Sequence, residues 1–220
     1  MFSREDVANY LNQNFEASWE MVRPVPIVRI DFGNGNVATR TLHGNIASYV
    51  CGADGQVVDI LPGIYVPASY LAALEQPRTL AGELSRLEPA LRINRLQEYH
   101  RQRARTIRIP VAAQPARLDP GKRAIEIPLE RIVIPAPRSD GNAGAGRPRT
   151  AAELANWQPL VADTLRNETE RRLLIHQRFA GAEPVRPEQI KRWLYRDVLH
   201  ADLDDPYLGL GDDLFVDLEH

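Results

Sequence analysis

Between residues 26 and 74 the alternation of apolar and polar side chains changes period several times, and each change is marked by a turn residue. Val28, Ile30 and Phe32 alternate with Arg29 and Asp31, the period-2 pattern of a half-buried strand. Gly33-Asn34-Gly35-Asn36 tolerates positive φ and predicts a hairpin turn. Two further apolar runs, 47–51 and 56–61, flank Asp54-Gly55 and predict a second hairpin, stopped by Pro62-Gly63. Pro67 suits the first turn of a helix that carries Tyr70, Leu71 and Leu74 on one side and ends at Gln76-Pro77.

Helical spacing governs the flanks. Val7, Tyr10, Leu11 and Phe15 form one stripe, with Ser3 as the expected N-cap. Leu80, Leu84, Leu87 and Leu91 form another, interrupted or kinked at Pro89, which runs into the most basic window of the chain, Arg92 to Arg108. Residues 110–149 are rich in proline; an apolar alternation from Ile125 to Ile134 and a Gly/Ala/Asn linker at 139–148 lie within them. Thr150 and Glu153 form a capping box ahead of Leu154, Trp157 and Val161, and Leu165, Leu173, Leu174, Ile175 and Phe179 extend the stripe. Pro187 opens a last helix with Ile190, Trp193, Leu194 and Val198 on one face. The fold class expected is therefore α+β: a small mixed or antiparallel sheet of three or four strands with flanking helices, then a helical C-terminal subdomain. The divisions are a core at 1–76, a basic amphipathic helix at 77–109, an arm and linker at 110–149, and a helical subdomain at 150–217. Leu218-Glu219-His220 reads as a tag remnant.

Residues 3–75 resemble the C-terminal part of thioredoxin-like domains. SREDVANYLNQNF matches the helix that precedes a strand there, SYVCGADGQVVDI the strand–turn–strand, and PGIYVPASYLAAL the closing helix. The resemblance implies a partial thioredoxin-like fold. It also brings two departures. No Cys-x-x-Cys is present, and Gly44-Asn45-Ile46 stands where that family places its cis-proline. The function implied is a redox-inactive module for binding or scaffolding a protein or peptide. The alternative is part of a thiol–disulfide oxidoreductase whose Cys-x-x-Cys lies upstream or on a partner.

Composition narrows this little. The 220 residues are 44% hydrophobic and 25% charged, with a formal charge of −2, so no global attraction to nucleic acid or anionic lipid is expected. No run is long enough for a membrane span, and the start MFSREDVANYL lacks an export pattern, which points to the cytoplasm unless Met1 is not the native start. The single cysteine, Cys51, is the one possible thiol, and it is expected to serve as a small apolar strand residue. Arg101, Arg103 and Arg105 are possible partner contacts, as are Trp193, Tyr207 and Leu208; homo-oligomerisation through the proline-rich arm is a further possibility. The acidic tail (Asp202, Asp204, Asp205, Asp212, Asp213) fails the EF-hand spacing, because Pro206 falls at position 5 and Asp213 at position 12. His100, His176 and His200 stand apart in sequence, and helical spacing allows His176 to pair with Glu170 or His200 with Asp197. No catalytic residue, metal site or cofactor is assigned, as no P-loop, dinucleotide fingerprint, HExxH or nucleophile elbow is present.

Overall fold

A computed structural model describes residues 2, 4–24, 27–31, 37–41, 46–107 and 160–205. The class is α+β, with short antiparallel strand pairs flanked by helices. Helix α1 (Glu5–Asn14) is followed by β1 (Ile27–Asp31) and β2 (Val37–Thr41), which pair antiparallel with Asp31 opposite Val37. Strands β3 (Ala47–Cys51) and β4 (Val57–Pro62) form the second hairpin, with an irregularity in register at Val50/Cys51. Among the described residues the two hairpins form separate two-stranded pairs and not one sheet of three or four strands. Between β3 and β4 the turn closes as its composition predicts. Gly55 adopts φ +77°, and Asp54 Oδ1 accepts the Gln56 amide at 3.0 Å.

Helix α2 (Pro67–Leu84) starts at Pro67 but does not stop at Pro77. Pro77 costs the helix one backbone bond, yet its ring is buried, as are Leu74 before it and Leu80 after it. Continuous apolar burial along that face outweighs the missing N–H. Of the two alternatives at Pro89, interruption holds and a kink does not: the proline occupies the first turn of a new helix, α3 (Pro89–Thr106). In α1 the N-cap is Arg4, which makes no side-chain cap; Ser3 lies outside the described residues.

Helix α4 is described over 160–179. Its middle, Asn167–Arg171, widens to a π-helical turn in which the Arg172 amide reaches back five residues to the Asn167 carbonyl. Helix α5 (Pro187–Trp193) runs into a second π-helical turn, Leu194–Val198, and ends at His200, which sits at φ +52°.

Every residue of β4 is buried, because the hairpin is covered from two sides. Val58 and Leu61 pack with Val7, Tyr70, Leu74, Leu80, Leu84, Leu96 and Tyr99 of the first three helices. Val57 and Ile60 pack with Ile175, Phe179, Ile190, Leu194, Tyr195 and Val198. The described C-terminal helices thus share a core with the hairpin. Backbone contacts reinforce this, since the Val57 amide bonds the Val185 carbonyl at 2.8 Å. Thr164 Oγ1 accepts the Val66 amide at 2.8 Å, and Asn167 Nδ2 donates to the Ile64 carbonyl at 2.8 Å.

Candidate functional site

One residue of β4 breaks its apolar run, and the site is built around it. Asp59 is fully buried in VVDILP, so its carboxylate needs compensating partners. The backbone supplies the first: the Ile60 amide donates to Oδ1 at 2.8 Å. From α3, Tyr99 OH donates to Oδ2 at 2.7 Å. From α4, Arg172 donates to the same oxygen at 2.6 Å, and its other guanidinium nitrogen lies 3.2 Å from Glu168. Arg172 is 1% exposed, so this ion pair is screened very little by solvent.

Two histidines extend the cluster, both fully buried. His100, from α3, and His176, from α4, face each other with Nδ1 atoms 2.8 Å apart. His100 Nε2 lies 3.1 Å from the Val58 carbonyl, which can only accept. His100 therefore carries its proton on Nε2, and its Nδ1 lone pair accepts from His176 Nδ1–H. His176 Nε2 is left as a buried lone pair without a partner. Phe179 stacks on the His100 ring at 5.0 Å, and the Tyr99 ring meets both imidazoles edge-on.

Burial and charge set the protonation states. Burial pushes the Asp59 carboxyl up, but Arg172, the two histidines and the Tyr99 hydrogen bond together outweigh it and hold the carboxyl below the carboxylate range. Burial pushes His100 down to about 4 and His176 down to about 3, with Asp59 opposing in both cases. Burial, and then Asp59, raises the Tyr99 phenol. At neutral pH the cluster is thus a carboxylate–guanidinium pair beside two neutral imidazoles.

Asp59, His100 and His176 are a trio of metal-ligand type, with donor atoms within 4.8 Å of one another. The arrangement suits a cation poorly. Asp59 already accepts three hydrogen bonds, one of them from a guanidinium that would face the ion, and the two imidazoles bond each other. A buried hydrogen-bonded network joining three elements fits these contacts better.

Beside the cluster, α2 and α3 form an open cleft of about 430 Å³. Tyr99 belongs to both: its ring lines the cleft and its hydroxyl holds Asp59. Glu75, Glu83, Arg95, Gln102 and Arg103 also line it. Arg95 is tied to Glu83 at 2.7 Å, whereas the Arg103 Nε is buried without a hydrogen-bond partner.

The residues singled out from sequence are dispersed. Arg103 reaches the cleft; Arg101 and Arg105 are exposed, and Arg101 pairs with Glu98 at 3.0 Å. Trp193 packs at the edge of the second core with the Arg178 guanidinium 4.6 Å over its ring. Tyr207, Leu208, Asp212, Asp213 and the proline-rich arm lie outside the described residues. Cys51 is half-buried, and burial, then Glu188 and Asp54, pushes its thiol up. The pairs that spacing allows for His176 and His200 do not form. His176 turns inward to His100, while Glu170 lies 3.8 Å from Arg166 and Asp197 accepts from Arg196. Asp202 Oδ1 accepts the Asp204 amide at 2.9 Å, as expected of an aspartate turn.

Asp59, Tyr99 and Arg172 were missed by sequence reasoning. The available signal was an aspartate centred in an otherwise apolar strand run, which requires a cation from elsewhere in the chain. No family model, curated protein or solved structure matches the chain.

Proposed function

We propose that the chain is a protein- or peptide-binding module whose binding surface is the cleft between α2 and α3. The observation that carries this reading is the Arg103 guanidinium, a half-buried cation on the wall of the cleft. A carboxylate or main-chain carbonyl of an incoming peptide pairs with its terminal nitrogens. Gln76, Gln102, Thr79 and Thr106 offer further hydrogen bonds along the cleft walls. A thioredoxin-like origin for residues 3–75 is proposed on the sequence motifs alone. Cys51 favours binding over thiol chemistry, since a raised thiol is a poor nucleophile at neutral pH.

Selection of displayed peptides against the full chain, followed by calorimetry on the enriched sequences, tests this. Arg103→Glu is expected to weaken the selected peptides at least about tenfold, the equivalent of about 1.4 kcal/mol, and Arg101→Ala to leave them unchanged. Peptides that bind wild type and Arg103→Glu equally well contradict the reading.

A further inference from the structure

The two histidines meet in a geometry that holds only while the pair is short of protons. Their Nδ1 atoms are 2.8 Å apart, room for a single hydrogen between them. His100 Nε2–H is committed to the Val58 carbonyl, so a proton added to His100 must go on Nδ1, head-on against the His176 Nδ1–H. A proton added to His176 must go on Nε2, which is buried and meets no acceptor. Either addition also places a cation between Asp59, which attracts it, and Arg172, which repels it. The groups facing the pair are Asp59 from β4, Tyr99 and Arg103 from α3, and Arg172 and Glu168 from α4. The one fully buried carboxylate among them, Asp59, is already matched by Arg172.

This contact lies where α4 meets α3 and β4, at the boundary between the two apolar cores. We propose that the His100–His176 contact is an acid-released latch: on protonation the helices of residues 160–205 detach from the hairpin and α3, while α1, α2, α3 and the β3–β4 hairpin keep their own core. Separation of α4 from α3 lets both imidazoles reach water, where each protonates with its ordinary value near 6.5. Burial lowers both pKa values in the closed form, in agreement with the geometry. What detachment uncovers is apolar: Val57, Ile60, Tyr49 and the Cys51 thiol.

Hydrogen exchange of the full chain at pH 7.5 and pH 5.0, corrected for the intrinsic rates, reads the latch directly. The expected result is selective. Protection of amides in 172–179 and 194–201 falls by up to about 10³-fold, the limit for two protons taken up with ordinary values, while amides of 70–84 and 96–106 change far less. His176→Asn keeps a donor at the Nδ1 position and removes one titrating ring; His100→Gln keeps the donor to Val58 and removes the other. Each is expected to reduce the acid-induced loss to about 30-fold or less, the limit for one proton. Wild-type protection that is unchanged at pH 5.0, or that falls equally in every helix, overturns the proposal without recourse to the variants. So does a folded variant that keeps the wild-type response.

Discussion

At the scale of single residues, Asp59 fixes the chemistry around it. Its carboxylate is fully buried, and three donors from three segments converge on it. Removing one partner of a buried ion pair leaves an uncompensated charge and costs about 3–5 kcal/mol. Arg172→Met is expected to lower unfolding free energy by that amount, measured by urea denaturation. Tyr99→Phe removes one charge-assisted hydrogen bond and is expected to cost about 1.5–3 kcal/mol in the same assay. The histidines add a pH dependence whose sign follows from their lowered values. The folded form holds them neutral, so the unfolded chain takes up more protons below about pH 6.5 and stability falls on acidification. Asp59, also lowered when folded, adds a further loss only in stronger acid, below the ordinary carboxylate value. Urea midpoints between pH 7.5 and 5 are expected to fall monotonically, and a maximum near pH 5 contradicts the assignment.

At the scale of elements, close approach between the β4–α2 connection and α4 depends on two residues. Gly63 sits at φ +77°, and a Cβ there would come within 2.9 Å of the Asn167 amide. Asn167 in turn holds the Ile64 carbonyl and accepts from Arg171 at 2.7 Å. Gly63→Ala is expected to destabilise by more than about 1 kcal/mol, from the left-handed backbone and the crowding together. The same urea titration checks it, and a neutral result contradicts the packing described. The hairpins and most helix stripes were legible in sequence because their signals are local: an Asp-Gly turn, a two-residue alternation, a proline at a helix start. Pro77 was not. Its effect depends on which way the ring faces, and burial of that ring lets α2 continue for another seven residues. The π-helical turn at Asn167–Arg171 has no local signature either, since NETER is ordinary helix composition.

At the scale of the molecule, a hairpin wrapped on two faces ties the five described helices to one another. The cluster was invisible to a linear reading because its hydrogen-bonded side-chain partners are 40 to 113 positions apart in sequence. Asp59 alone announced that a partner was required. Residues 160–205 cover Val57 and Ile60, so they belong to the core of the hairpin and are not merely appended to it. Unfolding at neutral pH is therefore expected to be a single cooperative transition, with tryptophan fluorescence and far-UV ellipticity superimposing; two separated transitions contradict a shared core.

A double-mutant cycle on Asp59 and Arg172 tests the central claim most directly, namely that a buried charged cluster clamps α3 and α4 to β4. Unfolding free energies of wild type, Asp59→Asn, Arg172→Met and the double variant are compared at pH 7.5. Each single substitution is expected to cost about 3–5 kcal/mol, and the pair to recover about 2 kcal/mol or more relative to their sum. Single costs below about 0.5 kcal/mol, or strict additivity, would mean that the two side chains do not meet in the folded protein.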